Sequence, residues 1–206
     1  MFFFENFYRF KKKIFNKIKF DLTDEINFGS KEANDFFEKN LNKSKFYYEF
    51  GSGSSTLRAD HLNIRFLSLE LDKSFFNLIQ KKLIKKNVQY IPIGPVGEFS
   101  YPLFKDKKKI FNYVNSIEFF FKNIDYPDFI LVDGRFRVAC CLNLLRFLDK
   151  DQFDMIILID DFKNRNHYKI LYEYFNIELV GRMALLTSTK KKFDQEVFEK
   201  YLLDSR

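Results

Sequence analysis

Charged side chains stand directly after short apolar runs in this sequence, and chemistry is to be sought there. Asp133 follows Phe129-Ile130-Leu131-Val132, and Asp160-Asp161 follows Met155 to Ile159. Such runs, apolar without alternation, fit strands buried on both faces. A carboxylate ending such a run is costly to bury unless it is paired. Polar groups accompany the acids: Arg135 and Arg137 beyond Asp133, and Asn164, Arg165 and His167 beyond the Asp160-Asp161 pair. An arginine can hold a carboxylate or phosphate through two parallel N–H donors. A histidine, with an ordinary pKa of about 6.5, suits the role of proton acceptor. The same residues can instead form an internal ion network, Asp133 or Asp160 with Arg135 or Arg165. The other histidine, His61, ends a helix and reads as structural.

A second constellation lies upstream, in Tyr47-Tyr48-Glu49-Phe50-Gly51-Ser52-Gly53-Ser54-Ser55-Thr56. It reads as a buried strand end, a glycine turn and a helix start. Gly51 and Gly53 permit backbone angles and close approaches that a Cβ would block. Ser54, Ser55 or Thr56 can cap the helix, whose free N–H groups favour anions or polar groups. Nineteen residues after Gly51, ending the strand-like run Ile64 to Leu69, stands Glu70. In open α/β folds an acid about 20 residues beyond the glycines takes the ribose hydroxyls of a nucleoside cofactor.

The pattern Glu49-x-Gly51-x-Gly53, with Glu70 behind it, resembles the first motif of class I S-adenosylmethionine (SAM) dependent methyltransferases. The resemblance covers about Phe46 to Thr189. It implies a glycine loop near the methionine part of SAM and Glu70 on the ribose. The cofactor side of the expected site is then Glu49, Gly51, Ser52, Gly53, Ser54, Ser55, Thr56, Glu70 and Asp133. Asp133 or His167 would accept a proton, and Arg135, Arg137, Asn164 and Arg165 would face a small-molecule or sugar-like acceptor methylated on oxygen. The three acids ending the fourth and fifth strands also resemble the magnesium site of catechol O-methyltransferase-like enzymes, whose pair is usually Asp-Asn. That likeness implies Mg2+ on Asp133, Asp160 and Asp161, although Arg135, Arg165 or Lys163 can neutralise the same acids. Two departures stand out. Ile93-Gly94-Pro95 occupies the place where the family often has an acid near adenine, and no Asn-Pro-Pro-Tyr-like motif ends the fourth strand. The alternatives are a non-catalytic SAM or nucleotide-binding module and an NAD-type oxidoreductase. Thr56 in the place of a third glycine disfavours the latter.

Strand and helix signals alternate along the chain. Strands are expected at Phe46–Phe50, Ile64–Leu69, Val88–Ile93, Phe129–Val132 and Met155–Ile159, with a terminal antiparallel pair at Ile177–Val180 and Met183–Thr187. Helices are expected from Lys31 to Leu41, Ser54 to Leu62, Asp72 or Ser74 onward, Phe136 to Leu148, after His167 to near Phe175, and Asp194 to Leu203. This alternation predicts an α/β, doubly wound, mainly parallel sheet. With the resemblance, the expected fold is a seven-stranded sheet with an antiparallel C-terminal hairpin in a three-layer αβα sandwich. Residues 94–128 break the rhythm at a length no ordinary βα connection needs. Their aromatic content predicts a lid or substrate wall within a single domain spanning 21–206, or else a surface insertion with packed aromatics.

Length and composition fit that plan: 206 residues, 46% hydrophobic and 19% aromatic, enough for one sizeable core. The net charge is +7, but residues 1–20 hold six basic residues against Glu5 and carry +5 of it, leaving +2 for the rest. A nucleic-acid face should be basic across the folded domain, so this distribution argues against one. Phe3, Phe7, Phe10, Ile14 and Ile18 fall near one face of an N-terminal amphipathic helix. That helix either packs on the domain or lies peripherally on an anionic membrane surface. Adjacent Cys140 and Cys141 make no disulfide framework, and a reducing cytoplasm is the simplest location. No apolar run approaches the ~18 residues of a membrane span.

Overall fold

The computed structural model describes residues 22–123, 125–148 and 155–206; the expected helix over residues 1–20 lies outside them. In chain order the elements are α1 (Lys31–Leu41), β1 (Tyr47–Phe50), α2 (Ser54–His61), β2 (Phe66–Glu70), α3 (Lys73–Lys82), β3 (Val88–Tyr90), α4 (Lys107–Val114), α5 (Glu118–Lys122), β4 (Phe129–Val132), α6 (Arg137–Leu144), β5 (Ile156–Ile159), α7 (Leu171–Tyr174), β6 (Phe175–Val180), β7 (Met183–Thr189) and α8 (Gln195–Leu202).

Aromatic and β-branched runs form the strands because those side chains pack well on a pleated, buried surface. All four residues of β1 and of β4 are buried. The strands assemble in the order β3-β2-β1-β4-β5-β7-β6. β1 to β5 pair in parallel, and β7 runs antiparallel to both β5 and β6. Side chains alternate across the sheet and feed two apolar layers. Tyr48, Phe50, Ile130, Val132, Ile157 and Ile159 meet α4, α6 and α8 on one face. Tyr47, Phe66, Phe129, Leu131 and Leu158 meet α1, α2 and α3 on the other. The result is a doubly wound seven-stranded sheet in a three-layer αβα sandwich, as the sequence predicts.

Register decides what this sheet presents. Phe50 pairs with Leu69 and with Val132, and Val132 pairs with Ile159. Gly51, Glu70, Asp133 and Asp160 therefore leave the sheet together at one carboxyl edge. Crossovers proceed from β1 towards β3 on one side and from β4 to β5 on the other, so the order reverses between β1 and β4. Ligands of open α/β sheets bind at such a reversal.

Several boundaries differ from expectation, among them the end of the Phe136–Leu148 helix, which stops at Leu144. β3 stops at Tyr90 rather than Ile93, because Pro92 has no N–H for the ladder. The helix expected to end near Phe175 is a single turn at Asn166–Tyr168 followed by the four residues of α7. β6 then starts at once at Phe175, with a bulge between Asn176 and Ile177. Residues 94–128 divide in two. Ile110, Tyr113, Val114 and Ile117 belong to the core, whereas Phe99, Leu103, Phe104 and Phe119 are exposed. No helix among the described residues is long and apolar enough to cross a membrane. Cys140 and Cys141 are both buried and free.

Candidate functional site

The glycine turn after β1 is held from behind by Glu49. Its carboxylate is 1% exposed and accepts hydrogen bonds from Ser55 Oγ, Thr56 Oγ1 (2.5 Å) and Ser68 Oγ (2.7 Å). Thr56 Oγ1 also accepts from the Gly53 N–H at 3.0 Å, closing the start of α2. Burial is the main reason the Glu49 carboxyl is pushed up to about 7; the three hydroxyls pull it down and Asp133 adds to the rise. Glu49, Ser55 and Thr56 are thus tied to one another behind the turn and are not among the residues that line the cavity described below. Ser54 and Gly53 also lie off the cavity wall. Gly53 is extended, with φ −178°, and open space stands where its Cβ would be.

Gly51 is different. Its φ is +103°, and a Cβ on it would come within 2.9 Å of the Gly134 backbone nitrogen. Gly134, after β4, would with a Cβ meet Gly51 N at 3.0 Å and overlap the Tyr113 hydroxyl. The two glycines let the turns after β1 and β4 touch at the order reversal.

A cavity of about 740 Å³ opens beside this contact, lined by Gly51, Ser52, Glu70, Asp133, Gly134 and Arg135 among others. That size lies within the usual range for small-molecule sites, roughly 300–1,000 Å³. Leu71, Phe75, Leu78 and Phe99 give one wall an apolar face. Glu70, 4% exposed, accepts from the N–H groups of Leu71 and Asp72 (2.8 Å each) and from Ser52 Oγ (2.6 Å) and Ser100 Oγ (3.1 Å). Three of these donors reach Oε1, so Oε2, met only by Ser52, keeps acceptor capacity. Burial is the chief cause raising the Glu70 pKa.

Asp133 also lines the cavity. Burial, above all, and then the nearby carboxylates raise it to about 6 against the pull of Arg137. Arg137 donates to Asp133 Oδ1 (2.8 Å) and to the carbonyls of Asp133 (3.0 Å), Gly134 (2.9 Å) and Asp160. It is 4% exposed and committed to these strand ends, so it is not the free anion clamp expected of it. Arg135 is placed differently: its guanidinium lies 4.2 Å from the Tyr101 ring centroid, it lines the cavity, and it pairs with no carboxylate among the described residues.

The remaining expected residues gather elsewhere. Asp160, 3% exposed, receives Arg182 Nε (2.9 Å) and Nη2 (2.7 Å). Asp161 lines the cavity but pairs with Arg165 at 2.5 Å and Arg182 at 3.2 Å. Asp133, Asp160 and Asp161 are each answered by an arginine, and no group of His, Cys, Asp or Glu among the described residues could hold a metal ion. The expected Mg2+ site is corrected on that ground to an ion network. Asn164 is exposed and, with Arg165 and His167, lies off the cavity wall. His167 packs on Tyr168 with ring centroids 4.3 Å apart. Burial, then the charge of Arg206, lowers its pKa.

Strain concentrates here as well. Phe99 (φ 52°), Ser100 (φ 60°) and Asp161 (φ 55°) line the cavity in the left-handed region, and Phe136 (φ 60°) follows Arg135. Non-glycine residues in that region cost roughly 1–3 kcal/mol each and cluster at functional sites. Sequence reasoning missed Tyr113 and Ser100, both inside the 94–128 excursion and without a motif.

No family model matches the sequence, and no curated protein matches it. Among solved structures, the fold is similar to that of a methyltransferase-like protein from Silicibacter pomeroyi, with TM-score 0.74 and 21% identity over 89% of this chain and 99% of that one. Fainter likenesses include an O-methyltransferase from Bacillus cereus in complex with S-adenosylhomocysteine (SAH), at TM-score 0.45 and 12% identity over 76% and 81% of the two chains. An RNA methyltransferase from Salinibacter ruber in complex with SAH stands at 0.40 and 14%, over 81% and 98%. The fainter two are too distant to bear on ligand or acceptor. The chain has the class I methyltransferase fold.

Proposed function

We propose that this chain is a SAM-dependent methyltransferase acting on an oxygen of a small acceptor that carries an anionic group. The observation that supports it best is the convergence of the Gly51–Gly134 contact, Glu70 and Asp133 on one cavity at the order reversal of the sheet. The residues fit the cofactor. The glycine contact leaves room for close backbone approach, Glu70 Oε2 can accept from a ribose hydroxyl, and the wall of Leu71, Phe75, Leu78 and Phe99 suits a flat base. Bound SAM would supply an electrophilic methyl on a sulfonium.

The chain's own share is alignment and one proton. Arg135, stacked on Tyr101, holds the acceptor's anionic group. Asp133, with Oδ1 held by Arg137, takes the acceptor hydroxyl's proton on Oδ2. The methyl that bound SAM would supply would pass to that acceptor oxygen, with SAH as the other product. With a pKa of about 6, Asp133 is mostly ionised at neutral pH while remaining basic enough to serve. No part of this assignment needs His167.

The test is calorimetry of SAM, SAH and NAD with the purified protein, followed by methyl release with hydroxylated carboxylate and phosphate acceptors. SAM and SAH binding without NAD binding supports the reading. Binding without transfer to any acceptor would leave a non-catalytic SAM module, and NAD binding alone would replace the reading with an oxidoreductase.

A further inference from the structure

Among the described residues, five buried side-chain polar atoms lack a hydrogen-bond partner: Tyr47 Oη, Tyr113 Oη, Asn143 Oδ1, His167 Nε2 and Tyr168 Oη. Only Tyr113 of these five residues lines the cavity. Its ring is fixed between Phe50 (centroids 5.6 Å apart, near-perpendicular) and Phe136 (6.3 Å). The hydroxyl stands against Gly134, at the place a Cβ there would fill. It therefore sits at the contact of the two glycine turns.

A buried hydroxyl without a partner loses its hydrogen bonds to water and gains nothing for them, at a cost of about 1–3 kcal/mol. Cores avoid that cost, and each exception asks for a reason. Phenylalanine would fill the same aromatic gap between Phe50 and Phe136 without it. The hydroxyl is thus surplus to packing, and it lies buried just behind Gly134, in a residue that lines the cavity. Burial, foremost, then the charges of Cys140 and Glu70 hold the phenol well above its ordinary pKa. It stays protonated and can donate.

We infer that Tyr113 is a ligand-binding residue whose hydroxyl donates a hydrogen bond to the methionine part of the bound cofactor at the Gly51–Gly134 contact. This rests on the reading that SAM occupies the cavity and adds a residue from the 94–128 excursion to its binding set. That excursion then contributes two hydroxyl-bearing residues to the cavity lining: Ser100, which donates to Glu70, and Tyr113.

The experiment compares the parent with Tyr113→Phe by calorimetry with SAH and by thermal melting without ligand. Loss of a hydrogen bond to the carboxylate of the methionine part should weaken SAH binding about 10- to 100-fold, the scale of a hydrogen bond to a charged group. The melting temperature of the free protein should hold or rise, because the variant removes an unpartnered buried polar atom. A purely structural hydroxyl would lower the melting temperature and leave affinity alone, so the two readouts move in opposite senses. SAH affinity within twofold of the parent overturns the role of Tyr113 while leaving the SAM reading intact. Failure of the parent itself to bind SAH overturns both.

Discussion

Gly51 and Gly134 touch through backbone alone: a Cβ built on the first would lie 2.9 Å from the nitrogen of the second, and one on the second 3.0 Å from the nitrogen of the first. Neither side can yield, since both neighbours are main chain. Gly51→Ala should therefore cost stability twice, through this clash and through φ +103°. A loss of about 2–4 kcal/mol follows from combining a strained angle with a forced backbone shift. Gly134→Ala should be partly relieved by Tyr113→Phe, which removes the nearest obstacle. A double-mutant cycle in denaturant reads this as positive coupling. Additive effects would mean that the Tyr113 hydroxyl does not press on Gly134.

Glu49 sets a pH dependence with a definite sign. Its folded pKa of about 7 lies above the ordinary 4.5. Between those values the folded protein binds more protons than the unfolded chain, so Glu49 makes stability fall as pH rises through that window. The slope is at most ~1.4 kcal/mol per pH unit. Asp133 acts in the same sense, and His167, whose pKa is lowered, in the opposite one. Glu49→Gln isolates the effect. Its urea midpoint relative to the parent should improve between pH 5 and pH 8, and a constant difference would remove Glu49 as the source.

Much of this architecture was legible from patterning alone. The apolar runs Tyr47–Phe50 and Phe129–Val132 fall on β1 and β4 because strands buried on both faces carry no competing signal. Lys31–Leu41 and the Asp72 cap likewise fall where their residue types require. The spacing of Gly51 and Glu70 brought both to one cavity. Sequence could not say which way side chains near the turn point. Glu49 looks like a ligand contact by position, yet three hydroxyls from α2 and β2 take it up. The acids after β4 and β5 suggested a metal, yet Arg182, in the turn between β6 and β7, answers two of them from more than twenty residues away. Tyr113 had no signal at all, since only packing against Phe50 and Gly134 brings it to the site.

The Asp160–Arg182 pair joins the end of β5 to the β6–β7 turn. Asp160 is 4% exposed in its side chain and Arg182 is 39% exposed, so the pair lies between a buried and a surface bridge. Removing one partner of a fully buried pair costs about 3–5 kcal/mol, and surface pairs are worth about 0–1. Asp160→Asn should therefore cost about 2 kcal/mol in urea unfolding. SAH affinity should stay near the parent's, because Asp160 does not line the cavity. A tenfold loss of affinity with little change in stability would put Asp160 back in the ligand site.

Arg135 gives the sharpest test of the acceptor. It is an arginine of the cavity wall stacked on Tyr101, whereas Arg137 and Arg165 are engaged by carboxylates. A cation held on an aromatic face in a cavity, with its N–H fork unpaired among the described residues, suits a carboxylate or phosphate on the substrate. Arg135→Met should lower kcat/KM for acceptors bearing such a group by about 10- to 100-fold, the scale of a hydrogen bond to a charged group. Neutral acceptors should lose little, and SAH affinity should hold. Arg135→Lys keeps the charge but loses the planar fork and the stacking, so it should restore only part of the activity. Equal losses for charged and neutral acceptors would instead assign Arg135 to the shape of the cavity, and the anionic group would have to be withdrawn from the acceptor's description.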